Sequence, residues 1–302
     1  MISFRYHIVS IVAVFLALAV GIVVGTTALN GPVTSNLRTQ VKSLQSTRDD
    51  LSAQLKTAQQ QVDNAGQFAS TFGSALVNGR LASQNVLLVA LPGTSSGLQD
   101  SVANALTAAG ATITGRMQLA NDYLDQGSAA NISNFTTSVH PVGLTYPTTD
   151  DARVLGAALL SFVLLGKASA GDLQQVLTGF AGLHMITSDP KAITPATTVV
   201  VISTGAQQAD SYAAGAGLDL VSWLQSTGGH VIVAGDAGAA TKAGLVAAVR
   251  GSGTHSSVST VDDTDTAFGP ASVVLTVQGA LNSQVGHYGT AAGADALFPT
   301  AG

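Results

Sequence analysis

Residues 8–29 read IVSIVAVFLALAVGIVVGTTAL, a run without a charged side chain whose only polar residues are Ser10, Thr26 and Thr27. At about 1.5 Å of rise per residue, roughly 20 such residues carry a helix across the hydrocarbon core of a bilayer. Every rotation of that helix presents an apolar face. A cleaved secretory signal is the competing reading, but its apolar core usually runs only about 7–15 residues. Thr26-Thr27-Ala28 is a weak cleavage site. The length therefore favours a retained transmembrane anchor over residues 1–30. Arg5 and the amino terminus precede the span and favour an N-inside orientation, a bias that Arg38 and Lys42 on the far side weaken. The large C-terminal portion then lies outside the cytoplasmic membrane.

Working outward, Ala17, Gly21 and Gly25 recur at every fourth position of the span. That spacing lets two membrane helices approach closely, although glycine is also simply common in such helices. Gly31-Pro32 follows, and proline there predicts a kink or short break. Residues 31–66 then read as a coiled-coil stalk. Leu37, Leu44, Leu51, Ala58 and Ala65 occupy d positions, Val41, Leu55 and Val62 occupy a positions, and Arg48 alone breaks the apolar a series. The flanking positions are mostly Gln, Ser and Thr and carry little charge code for choosing a partner. A homodimer through this seam is the simplest expectation. The bland alternative is an amphipathic helix folded back on its own domain.

Charged residues make up only 10% of the 302, well below the quarter or so usual in soluble domains, and Ala, Gly, Thr, Ser and Gln take their place. The formal charge of −5 gives no basic surface for nucleic acid. With no cysteine, disulfides, thiolate nucleophiles and zinc–cysteine sites are excluded. All seventeen acidic residues are aspartate, so a glutamate base and a His-Glu-x-x-His zinc helix are excluded as well.

Residues 67–302 predict an extracytoplasmic α/β domain. Apolar strand candidates at Val86–Leu91, Ala111–Met117, Thr198–Ser203, His230–Ala234, Ser257–Val261 and Ser272–Val277 alternate with helix candidates. The helix candidates are Leu98–Ala109, Arg153–Leu165, Leu173–Ala181, Tyr212–Gln225 and Ala237–Val249. Uniformly apolar strands separated by helices describe a Rossmann-like, doubly wound parallel sheet behind the anchor and stalk. Phe68–Leu81 reads as a short connecting helix, Asn121–Thr149 fits no element well, and the tail from Ala291 reads as loose. Short strands apolar on both faces also argue against a membrane β-barrel.

The strand-to-helix turns, where such folds bind ligands, are Pro92–Gly97, Ser203–Gly205 and Gly235–Gly238. None carries a G-x-G-x-x-G fingerprint, a phosphate-loop lysine or a G-x-S-x-G elbow, so nucleotide binding and serine hydrolysis have no support. Ser96 and Asp236 read instead as helix caps. Asp262, Asp263 and His287 are candidate ligands for a divalent metal, with the ordinary reading, an acidic turn and a hydrogen-bonded histidine, favoured in the absence of a metal-ligand spacing. Three methionines without cysteine make no soft-ligand cluster for Cu(I). No catalytic class finds support.

Met1-Ile2-Ser3-Phe4-Arg5, the run Ser10–Ala19, Ser259-Thr260-Val261-Asp262-Asp263 and Val285-Gly286-His287-Tyr288-Gly289-Thr290 together resemble the mycobacterial copper transport protein B family of actinobacteria, in order along nearly the whole chain. The resemblance implies an envelope protein that lowers intracellular copper, channel-forming in the outer membrane, with copper as a transported or sensed ion rather than a cofactor. It also implies a second role held by some members, as membrane-anchored coiled-coil partners in cell division and control of peptidoglycan hydrolysis. One span, a stalk and a compact head suit a scaffold with an envelope protein partner better than a conduit, because an apolar span offers no polar lining for an ion.

Overall fold

The computed structural model describes residues 4–205 and 211–300, with residues 27–34, Ser70, Ser74, Ser211 and Ala214 described in their backbone only. Helix α1 spans Phe4–Val77. Its residues up to Asn64 belong to one compact unit, and Ala65–Gly302 form a second. In the first unit, Phe4–Thr26 is long and apolar enough to cross a membrane, and its large side chains are exposed. The seam residues Leu37, Val41, Leu44, Leu51, Leu55 and Val62 are exposed too. The kink or short break expected at Gly31-Pro32 falls among residues 27–34, whose backbone is assigned to α1 without interruption.

The second unit follows the order β1 (Asn85–Ala90), α2 (Ser96–Ala108), β2 (Thr112–Gln118), α3 (Asn121–Leu124), α4 (Ala129–Ser138), α5 (Ala152–Leu164), α6 (Ala170–Gly182), β3 (Thr198–Ser203), α7 (Ser211–Ser226), β4 (His230–Gly235), α8 (Leu245–Arg250), β5 (Ser259–Val261), α9 (Gly269–Leu281) and β6 (His287–Tyr288). All neighbouring strands pair in parallel, in the order β2-β1-β3-β4-β5-β6. The doubly wound sheet expected from the strand patterns is the one that forms.

Strand alternation assigns each apolar side chain to one of two cores. Leu87, Val89, Val199, Val201, Val231 and Val233 point to the face covered by α3 to α8. Val86, Leu88, Val200, Ile202, Ile232 and Ala234 point to the other, under α2, α9 and Val77 at the end of α1. The first core is the larger and centres on Phe180, which meets Phe135 edge-on at 5.5 Å and Tyr123 at 6.4 Å between ring centres.

Two segments depart from expectation. Ser272–Val277, expected as a strand, lies inside α9. Its β-branched run favours a strand locally, but Pro270 sits at the helix start and Ser272 to Val277 are buried against β4 and β5, so packing decides against propensity. Ala237–Val249, expected as one helix, is a turn followed by the short α8, because Gly244 approaches the Ala239 backbone too closely for any side chain. Asn121–Thr149, unassigned from sequence, supplies α3 and α4. The tail expected loose from Ala291 is bonded to β6: Gly289 donates to the Ala296 carbonyl at 3.0 Å and Asp295 to that of His287 at 2.7 Å.

Phe180→Ala removes the aromatic centre of the larger core. It should lower unfolding free energy by about 3–5 kcal/mol, read by chemical denaturation of the detergent-solubilised chain.

Candidate functional site

Two polar constellations are built into the second unit. The first grows from β5 and β6, where both C-terminal sequence motifs lie. Asp262 follows directly on β5 and is almost fully buried. Its Oδ2 pairs with Arg250 Nη1 at 2.8 Å, the two side chains being 0% and 4% exposed. Its Oδ1 accepts from the backbone N–H groups of Thr290 at 2.8 Å and Ala291 at 3.2 Å. Gly289 makes this possible: its φ is 125°, and any side chain there would enter the Asp262 carboxylate.

Arg250, at the end of α8, also donates from Nε to Thr260 Oγ1 at 2.8 Å and from Nη2 to the Tyr288 carbonyl at 3.1 Å. Thr260 Oγ1 lies 2.9 Å from His287 Nδ1, and His287 Nε2 lies 3.1 Å from the His255 carbonyl. A carbonyl only accepts, so Nε2 carries the proton and Nδ1 accepts from Thr260. The His255 ring stacks on that of His287 at 4.2 Å. Burial, then the neighbouring His255, lower the pKa of His287 and keep it neutral. Burial, then the charge of Asp262, raise that of Asp263, whose Oδ1 is buried without a hydrogen-bond partner.

The three residues expected as metal ligands therefore do not converge on one point. Asp262 is committed to Arg250 and two amides, and both ring nitrogens of His287 are committed to Thr260 and His255. Among the described residues, no group of three or more ligating side chains is placed to hold a metal ion. This constellation clamps β5, β6 and the tail together. Sequence reasoning missed Arg250, which sits ten or more residues from each partner and carries no local motif.

The second constellation surrounds a cavity of about 620 Å³ formed by α4, the start of α5 and Tyr212 at the start of α7. Asp151 caps α5, accepting from Arg153 N at 3.0 Å, and its Oδ2 takes Arg153 Nη2 at 2.8 Å. Arg153 Nε lies 3.5 Å from Asp219 Oδ2, and its guanidinium lies 5.1 Å from the centre of the Tyr212 ring. The hydrogen bond to Arg153 lowers the pKa of Asp151, whereas burial raises that of Asp219. Burial also pushes Tyr123, whose hydroxyl has no hydrogen-bond partner, far above the usual tyrosine range. The lone guanidinium faces two carboxylates, so the cavity offers an anionic ligand little. An Asp-x-Arg at a helix start was the only signal of this cluster in the sequence.

At the strand ends, the loops after β1, β3 and β4 are bonded to one another. Thr94 donates to the Ile202 carbonyl at 3.2 Å and Thr204 to that of Gly93 at 3.1 Å. Asp236 accepts from Gly205 and Ala239, each at 2.8 Å, and so ties two loops rather than capping a helix. Ser95, not Ser96, caps α2. Residues 206–210 lie outside the described residues. In the first unit, Gly21 and Gly25 have no neighbouring atom within 4 Å of a Cβ position, and Arg48 reaches along the helix to Asp49 at 2.7 Å.

Two outcomes test the β5–β6 clamp. Arg250→Met should cost about 3–5 kcal/mol by leaving Asp262 buried and unpaired, with partial recovery in the Arg250→Met, Asp262→Asn double variant. His287 has a lower pKa folded than unfolded, so its contribution is intact above about pH 6.5 and is lost as pH falls below it. Denaturation midpoints should fall between pH 7 and 5, and His287→Gln should flatten that slope.

Comparison with known proteins extends over nearly the whole chain. Residues 1–299 match the family described as copper transport outer membrane protein, MctB. The copper transporter MctB of Mycobacterium tuberculosis H37Rv is 30% identical over 307 residues, covering 97% of this chain and 98% of that protein. The copper transporter MctB of Mycobacterium leprae is 28% identical over 313 residues, covering 98% and 99%. Both units fall inside these matches, and the chain belongs to the MctB family of copper transport outer membrane proteins.

Proposed function

We propose that this chain acts in copper efflux and homeostasis from the cell envelope, as a single-pass protein whose α/β head stands outside the cytoplasmic membrane. The observation that carries this reading is the family match over residues 1–299. The chain's own chemistry argues for an indirect part in moving copper. Met117 and Met185 are both fully buried, and Met1 lies outside the described residues, so among the described residues the head presents no thioether to Cu(I). The span carries no polar group beyond Ser10, Thr26 and Thr27 with which to line an ion path.

A second role, as a coiled-coil scaffold for a cell-wall hydrolase or division protein, is favoured by one specific observation. Leu37, Val41, Leu44, Leu51, Leu55 and Val62, the large apolar residues of the expected seam, are all exposed. The two roles are compatible: a dimeric anchored scaffold could organise an export assembly without conducting the ion. The homodimer remains part of this proposal.

Deleting the gene should raise cell-associated copper, measured by elemental analysis, and the intact chain should restore it. Leu44→Asp with Leu51→Asp should abolish that restoration while leaving the chain in the membrane fraction. Protease added to intact cells with a permeabilised outer envelope should cleave a tag on the head. Unchanged copper after deletion, or a tag protected until the cytoplasmic membrane is opened, would overturn this reading.

A further inference from the structure

Counting the seven-residue seam forward from Leu37 past Ala65 puts Ala69 at the next a position, Phe72 at d and Leu76 at a. These three lie in the second unit, where the last turns of α1 pack on the head. One face of those turns is covered. Ala69 is 8% exposed and Val77 is 2% exposed, and Gly66 and Gly73 sit against Ala267 and Ala271 at the start of α9.

The adjoining face is bare. Phe68 is 61% exposed, Phe72 is 55% and Leu76 is 48%, on three successive turns. The rings of Phe68 and Phe72 lie 4.7 Å apart. Between them and Phe268 runs a groove of about 370 Å³ lined only by apolar side chains and glycine. Phe298, itself 41% exposed, extends the apolar edge by packing on Phe268 at 5.6 Å. Large apolar side chains gathered in one groove mark a surface that is covered in use.

We infer that the cover is the same helix of a second copy of this chain, so that the dimer contact runs past the stalk and into the head. Register selects this occupant. Phe72 and Leu76 keep the d and a spacing of the seam without insertion or skip. Although Ala69 at the preceding a position is covered by the head, a partner of identical sequence meets that register at Phe72 and Leu76. In a parallel pair about a two-fold axis, each d residue faces its own counterpart. Phe72 then packs across the axis, and the groove beside it is closed by the second helix. The inference rests on the dimer proposed above and extends it to residues beyond the stalk.

The absence of cysteine makes the test clean. Leu44→Cys, Phe72→Cys and Leu76→Cys place single thiols at seam positions. Thr71→Cys places one at an exposed position on the same helix, off the seam. The full-length chain, reconstituted in lipid vesicles, is oxidised mildly and run without reductant. A disulfide needs close Cα approach, so the seam variants should link about tenfold more than Thr71→Cys. Leu76→Cys keeps Phe72 and so reports even if Phe72→Cys weakens the contact. If Leu44→Cys links while Phe72→Cys and Leu76→Cys only match Thr71→Cys, the head contact falls and the stalk dimer stands. If none links, both fall. Adducts to a different protein in native membranes, in place of self-linkage at Phe72 and Leu76, would also overturn the inference.

Discussion

Burying both faces of a parallel sheet at once is the constraint on which the head depends. Antiparallel sheets can leave one face to water, but a parallel sheet wound by helical crossovers cannot. Strand β3, paired to β1 and β4, is buried at every residue from Thr198 to Ser203. Its alternating valines and isoleucine feed both cores, so helices must be found for each side. The chain supplies α5 and α7 with their apolar faces to one core and α2 and α9 to the other. The last turn of α1 is recruited to the second core through Val77. The last turns of α1 are thus part of the second unit's own packing.

The same requirement explains why the C-terminal motifs are spent on structure. The sheet narrows at β5 and β6, which contribute only three and two residues. Short strands bring few ladder hydrogen bonds, and the edge is held instead by a buried ion pair and the hydroxyl–imidazole chain running through Thr260. Burying Arg250 and Asp262 is costly unless every polar atom finds a partner, and here carbonyls, amides and a hydroxyl fill the remaining valences. Once a carboxylate and an imidazole are committed this way, a metal would have to break the edge in order to bind.

What the sequence made legible follows from how local each signal was. Thr198–Ser203 has the same bounds in pattern and structure, because a fully buried strand is uniformly apolar and ends at a glycine turn. Ser272–Val277 went astray because a short apolar run looks alike in a strand and in a buried helix, and only tertiary contacts with β4 and β5 separate the two. α4 was hidden because its face is built from Ile132 and Thr136 among Asn and Ser, too faint a period to read. Arg250–Asp262 and Arg153–Asp219 were hidden for a different reason. Each joins residues from separate elements, and no spacing along the chain encodes such a meeting.

The two units present contrasting kinds of surface. In the second unit, Arg250, Asp262, Thr260 and His287 at the β5–β6 edge are paired with one another or with the backbone, and the loops at the strand ends bond to each other where α/β proteins usually hold ligands. Along α1 the reverse holds. Leu51, Leu55 and Val62 in the first unit, and Phe72 and Leu76 in the second, stand exposed in one seven-residue register. Leaving large apolar side chains in water costs stability and solubility. Such a stripe of large apolar side chains is the surface on which the proposed contact with another helix rests.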